Sequence, residues 1–367
     1  MTLSRRFHAV HLLAFILAVA AVSTSSARQA PPSGSDVFPG KEWQRIEKPE
    51  SVGYSSARLQ ALGTWLKSLD TTGMLVSVGG RSLFEYGDLT RLSYLASVRK
   101  SVLAMLFGKY VANGKVRLDK TLAELGITDH GGLSPQEQEA TIADLLSARS
   151  GVYHPASNSG DNLADAPPRG SQKHGAYFLY SNWDFNALGT IFEQETGRNI
   201  YDALESDLAR PIGMQDFDRE AQKKSGDLTK SVHPAYHIWL STRDMARLGY
   251  LMLRQGGWAG KQLVPRDWVI KITSPVTHLQ DINPPFMREG RVGYGYLWWI
   301  FDGAWGQGPY EGAYSGMGAG GQYITVLPKL DLVVAHKTNL AKTQNKSVSG
   351  RQYFELLDKL IAARSAK

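Results

Sequence analysis

Apolar residues recur along this chain with two periods, and the period switches where one element gives way to the next. Over residues 55–69 they fall at helical spacing, which predicts an amphipathic helix. Met74-Leu75-Val76-Ser77-Val78 and Arg81-Ser82-Leu83-Phe84-Glu85-Tyr86 are β-rich and separated by Gly79-Gly80, which predicts a hairpin with a two-glycine turn. From Ser97 the pattern is helical again, with Val98, Leu103, Ala104, Leu106 and Phe107 carrying an apolar stripe as far as Gly114. Thr141-Ile142-Ala143-Asp144 and Ser241-Thr242-Arg243-Asp244 each place a hydroxyl three residues ahead of a carboxylate, before apolar helical runs. Both are capping-box signatures.

Residues 153–175 are rich in Pro, Ser, Asn and Gly; a loop this long is uncommon unless it serves as a lid or the wall of a binding site. Beyond it, a helix is predicted over residues 184–196. β-rich runs return at residues 295–300, 322–327 and 330–335, and residues 354–362 read as a closing helix. Strands thus occupy both ends and helices the middle. That order predicts an α+β fold, an antiparallel sheet built from the two termini with a helical subdomain inserted. The boundaries expected are 49–105 with 240–367 for the sheet and 106–239 for the helices.

The N-terminus adds an address. Arg5 and Arg6 precede an apolar run over residues 12–22, and Ser25-Ser26-Ala27 follows with small residues. This is the order of a signal peptide, residues 1–27, cleaved near Ala27. The apolar run is too short to span a bilayer, so the mature chain is expected to be exported, periplasmic or secreted, without a membrane span. Residues 28–48 are expected to form a flexible leader.

Composition changes little else. Hydrophobic residues are 43% and charged residues 20% of 367, an ordinary globular balance. There is no cysteine, so disulfides, thiol nucleophiles and cysteine-bound zinc are excluded. The formal charge of +7 comes from scattered basic residues and gives no basic stripe for nucleic acid.

The candidate chemistry begins at Ser97-Val98-Arg99-Lys100. A serine hydroxyl is a poor nucleophile until a base takes its proton, and on a helix Lys100 shares a face with Ser97. Burial beside positive or polar groups would favour the neutral amine that such a base must be. The same residues also fit a plain helix cap and a solvated first-turn lysine. The apolar run after Ser97 favours the buried alternative. Tyr180-Ser181-Asn182 supplies a phenol able to shuttle a proton if positive neighbours stabilise its phenolate, and an amide able to hold a carbonyl. Alone, these would be a loop tyrosine and a capping asparagine.

Tyr314-Ser315-Gly316-Met317-Gly318-Ala319-Gly320-Gly321-Gln322 runs into a strand, and its glycines would let a substrate approach the backbone. Its G-x-G-x-x-G spacing is not a dinucleotide fingerprint, because a strand rather than a helix follows. No G-x-S-x-G or H-E-x-x-H occurs, and Pro234 between His233 and His237 opposes a helical metal site.

In order, these segments resemble the serine β-lactamase and penicillin-recognising superfamily, in particular its class C-like branch of esterases, D-alanyl-D-alanine peptidases and 6-aminohexanoate-dimer hydrolases. Ser97-Val98-Arg99-Lys100-Ser101 looks like the Ser-x-x-Lys helix and Tyr180-Ser181-Asn182 like the Tyr-x-Asn motif. Residues 144–151, 241–247 and 293–299 resemble further landmarks. The resemblance implies a three-layer β-lactamase-like sandwich and an acyl-enzyme mechanism without metal or cofactor. It implies Ser97 as nucleophile, with Lys100 and Tyr180 moving protons. Asn182 would contact the substrate, as would Tyr314, Ser315, Gly316 and Met317. The oxyanion would lie between the N–H of Ser97 and a strand N–H such as that of Met317. The expected substrate is a small ester, amide or peptide-like molecule. One departure matters: the family's third motif commonly begins Lys-Thr-Gly or His-x-Gly, and Tyr314-Ser315-Gly316 brings no cation to receive an antibiotic's carboxylate. Ester or linear-amide cleavage is therefore expected ahead of β-lactamase, peptidase or silent-sensor roles.

Overall fold

The computed structural model describes residues 36–341 and 347–365. The expected signal peptide and the start of the leader lie outside the described residues. Seven strands form one sheet: β1 (Gly73–Val78), β2 (Arg81–Gly87), β3 (Val292–Tyr294), β4 (Trp299–Phe301), β5 (Tyr314–Gly318), β6 (Gln322–Leu327) and β7 (Leu332–Lys337). Their order is β2-β1-β7-β6-β5-β4-β3, and every neighbouring pair is antiparallel. The predicted hairpin is β1–β2. It joins the late strands through β1 and β7, with Gly73 opposite Lys337 and Val78 opposite Leu332.

The sheet buries both faces, because alternate residues of each strand enter different cores. Leu75 of β1 packs with α2 (Val98–Ala112), α3 (Asn182–Thr196) and α4 (Thr242–Leu253), whereas Met74 and Val76 pack with α1 (Ser56–Leu66) and α5 (Gly350–Ala362). The result is the three-layer β-lactamase-like sandwich. From Asp36 the chain is one compact unit. The subdomain boundary expected after residue 105 falls inside α2.

Several local expectations are corrected. Residues 295–300 are not one strand. Leu297 takes the left-handed conformation at φ 60°, and residues 295–298 form a buried turn between β3 and β4. The Leu297 N–H donates to the Leu146 carbonyl, while its own carbonyl accepts from Ser101 Oγ. Aromatic and aliphatic residues read as β-rich here because the turn is buried. The leader is not flexible over residues 36–48: Trp43 and Ile46 are buried, and the Ile46 N–H donates to the Ser82 carbonyl beside β2. Arg247 of α4 donates to the carbonyls of Pro39 and Gly40, so buried partners hold a segment whose composition suggested freedom. Thr141 and Asp144 form a reciprocal capping box. At Ser241 only half of one forms, because the Asp244 carboxylate accepts from the N–H groups of Gln215 and Asp216 instead.

Among the described residues, no helix is long and apolar enough to cross a membrane. Nor does any group of three or more His, Cys, Asp or Glu side chains there have the placement to hold a metal ion.

Candidate active site

The first turn of α2 is positioned from two sides. The Leu95 N–H donates to the Ile238 carbonyl, and Ala96 turns the chain in a left-handed conformation at φ 49°. Ser97 itself is already helical, at φ −76° and ψ −8°, and its side chain caps nothing. An N-cap serine has extended backbone and bonds an N–H two or three residues on, so the plain-cap alternative is excluded. The hydroxyl is left for Lys100, whose Nζ lies 2.9 Å from Ser97 Oγ.

Lys100 is the hub. Its Nζ is 2.7 Å from Tyr180 Oη and 2.7 Å from Asn182 Oδ1, and the side chain is buried. Asn182 opens α3 and is fully engaged: its Nδ2 donates to the Ser159 carbonyl and its backbone N–H to Asp161 Oδ2. Asn182 is also buried and absent from the walls of the cavity over Ser97. The side chain expected to touch substrate thus holds Lys100 in place.

Burial holds Lys100 well below the ordinary lysine range, the adjacent Arg99 cation pushes the same way, and Asp161 opposes both. The amine is therefore disposed to be neutral, as a base requires. Tyr180 differs from the expectation of a stabilised phenolate. Burial pushes it up to about 12, against the opposing effects of Ser97 and Arg99, so it keeps its proton. Its ring is stacked on Trp299 at 5.4 Å and tilted against Phe185 at 4.9 Å, which fixes the direction of the hydroxyl.

Ser97 and Tyr180 open onto a cavity of about 740 Å³. The long loop supplies Gly160, Asp161 and Asn162 to one wall, and Met317, Gly318 and Ala319 line another. Phe286, Trp299 and Tyr323 add apolar surface, and Arg351 and Phe354 of α5 complete it. The glycines of β5 have a steric cause. A Cβ on Gly318 would stand 2.5 Å from the Leu95 carbonyl oxygen and 3.1 Å from the Ser97 nitrogen, and one on Gly316 would stand 3.0 Å from Ser101 Oγ. Only glycine lets the strand lie this close to the first turn of α2.

Of the expected β5 contacts, the structure brings Met317 to the cavity and leaves the other three elsewhere. Tyr314 is buried edge-on against Trp298. Ser315 Oγ is paired with Thr325 Oγ1 at 2.8 Å, and Gly316 faces α2. Strand alternation puts Tyr314 and Met317 on opposite faces, and on the Met317 face Ser315 is taken up by Thr325 instead. Sequence reasoning passed over Asp161, Phe286, Trp299 and Arg351 as individual wall residues. The loop composition around Asp161 and the aromatic landmark containing Trp299 were the available signals. His233 bonds Thr190 and the Thr128 carbonyl, a structural role.

This sheet, with a serine and a lysine one helical turn apart and a tyrosine closing on both, defines the class of the protein: the serine hydrolases of the β-lactamase superfamily. The chain belongs to the beta-lactamase family, whose model matches residues 74–357. It is 26% identical over 182 residues to the 6-aminohexanoate-dimer hydrolase of Paenarthrobacter ureafaciens, a match covering 49% of this chain and 44% of that protein. Among solved structures it resembles a Bacillus anthracis protein assigned as a 6-aminohexanoate-dimer hydrolase, with a TM-score of 0.64, 18% identity and coverage of 89% and 88%. A hydrolase with promiscuous acyltransferase activity aligns with a TM-score of 0.60 and 16% identity, covering 85% of this chain and 99% of its own. At these identities the structural likeness is one of fold.

Proposed function

We propose that this chain is an exported hydrolase of esters or linear amides that works through an acyl-enzyme on Ser97. The observation that carries the reading is the convergence of Ser97 Oγ and Tyr180 Oη on Lys100 Nζ at the floor of an open cavity. Ser97 Oγ attacks the substrate carbonyl carbon while its proton passes to neutral Lys100. The Ser97 N–H at the helix start is one donor to the oxyanion. A second comes from β5. Ala313 accepts from Phe301 across the β4–β5 pair, so by alternation the N–H of Met317 points to the same edge, beyond the last β4 pairing at Ser315. The tetrahedral adduct collapses, the leaving oxygen or nitrogen takes the proton back from Lys100 through the Tyr180 hydroxyl, and water repeats the sequence to free the acid.

Preference for esters or linear amides rests on the apolar walls at Phe286, Trp299 and Phe354 and on the lack of a cation in β5 itself; the cations of the cavity wall are Arg291 and Arg351, and turnover of a cephalosporin tests whether they receive a carboxylate. The sequence relative named as a 6-aminohexanoate-dimer hydrolase is consistent with it. Export rests on the signal-peptide order of residues 1–27 and is tested by sequencing the N-terminus of the periplasmic form.

The test is fluorophosphonate labelling of wild type and Ser97→Ala, followed by turnover of a nitrophenyl ester, a linear amide and a chromogenic cephalosporin. Labelling of wild type alone, with ester or linear-amide turnover, is expected. Equal labelling of both proteins sinks the Ser97 assignment; cephalosporin turnover as the fastest reaction moves the reading to a β-lactamase, and labelling without any turnover to a sensor.

A further inference from the structure

Arg99 stands between Ser97 and Lys100 in the chain but points away from the cavity, into the protein. Its side chain is 1% exposed. One Nη donates to Asn186 Oδ1 at 2.9 Å, the guanidinium lies 4.3 Å from the centre of the Tyr236 ring, and the other Nη has no hydrogen-bond partner. Among the described residues no carboxylate pairs with it. The remaining buried arginine of this core, Arg247, instead satisfies three backbone carbonyls. A guanidinium cannot lose its charge by deprotonation, and a buried charge without a counter-ion is costly where an apolar residue would pack as well. Structural need alone does not account for an arginine here.

We propose that Arg99 is a positioning residue for acylation: its fixed positive charge, buried beside Lys100 without a counter-ion, keeps Lys100 in the neutral form that can accept the Ser97 proton. The proposal rests on the reading of Ser97 as nucleophile. Two like charges in a medium of low polarity repel far more strongly than in water, and of the pair only lysine can discharge. The groups facing Lys100 are Ser97 and Arg99 on α2, Tyr180 and Asp161 from the loop side, and Asn182 on α3. Facing Arg99 are Asn186 on α3 and the aromatic groups Tyr94, Tyr201, Tyr236 and His237. His237 is held down at about 4, chiefly by burial and then by Arg99, so it brings no second cation near neutral pH. Asp161 is the one anion in this set that opposes Arg99 at Lys100. It is partly open to the cavity, where solvent screens it, and already accepts the Asn182 N–H. Arg99 is sealed from solvent and acts with less screening.

The experiment measures the pH dependence of the second-order rate of fluorophosphonate labelling for wild type, Arg99→Met, Arg99→Lys and Asn186→Asp. Removing the charge (R99M) or pairing it with a carboxylate (N186D) raises the Lys100 pKa, so the acid limb is expected to move to higher pH by roughly one unit or more. Arg99→Lys places in the same buried site a cation that can itself discharge, so its limb is expected to move in the same direction as that of Arg99→Met and no further. A folded Arg99→Met whose limb stays in place, even at reduced rate, overturns the proposal. If Arg99→Met does not fold, Asn186→Asp decides by the same criterion. Should wild type itself fail to label at Ser97, the catalytic reading falls first; a labelled wild type with an unmoved limb in the variants removes only the role of Arg99.

Discussion

Lys100 meets three oxygens, and a neutral amine has two hydrogens and one lone pair. Asn182 Oδ1 can only accept, so it takes one N–H. The second N–H goes to one of the two hydroxyls, and the lone pair receives the proton of the other. On the proposed reading, a lone pair aimed at Ser97 Oγ makes Lys100 the base and leaves its second N–H on Tyr180 Oη, the path by which the proton passes on to the leaving group while Tyr180 gives up its own. The relay requires no movement of heavy atoms. Lys100→Met is expected to reduce ester hydrolysis by about 10³-fold or more. It should also remove the acid limb. In the wild type that limb falls well below the ordinary lysine range, because burial and Arg99 favour the neutral amine, and activity is lost as pH falls through it. A rate–pH profile of kcat/KM checks both; an unchanged limb in Lys100→Met would assign the titration to another group.

At the scale of elements, the site depends on how closely β5 approaches the first turn of α2. Gly318→Ala places a methyl group 2.5 Å from the Leu95 carbonyl oxygen, with backbone on both sides. One element must retreat, at a cost of about 1–3 kcal/mol, and the donors that face the oxyanion separate. Activity is expected to fall more than stability, read as a loss of kcat at least ~10²-fold beside a modest drop in the unfolding midpoint. Full activity in Gly318→Ala would mean that β5 donates nothing to the reaction. Asp184 of α3 offers a separate test of the packing. Its carboxyl is buried and held well above the ordinary 3.8, chiefly by burial, while Ser150 acts in the opposite direction. The folded state therefore keeps a proton that the unfolded chain loses above the ordinary value. Stability is greatest below that value and declines as pH rises towards the raised one. Asp184→Asn keeps the oxygen that accepts from Ser150 Oγ and abolishes the titration. The variant is expected to unfold at higher urea concentration than wild type near about pH 7, with the gap closing near about pH 3. Parallel pH dependence of the two proteins would contradict the buried-acid account.

For the molecule as a whole, periodicity made the alternating strands and amphipathic helices legible, and their order along the chain implied a sheet closed by both termini. Ser97, Lys100 and Tyr180 were legible because helical spacing and motif order place them together. What stayed hidden depends on tertiary partners. The pairing of Gly73 with Lys337 joins distant segments, and the left-handed turn at Leu297 is held by Leu146 and Ser101. Residues 36–48 look free by composition and are held by Arg247 at Pro39 and Gly40 and by Ser82 at Ile46. At the site, strand alternation sends Tyr314 into the core and Met317 to the cavity, and the demands of Lys100 turn Asn182 inward. Each difference leaves the Ser97–Lys100–Tyr180 centre intact and reassigns the residues around it. The most direct measurement is peptide mass spectrometry of the protein quenched during turnover of a nitrophenyl ester. A peptide containing Ser97 heavier by the acyl group, absent in Ser97→Ala, is the result expected. Turnover with no adduct on Ser97, or with the acyl group on another residue, would contradict the account.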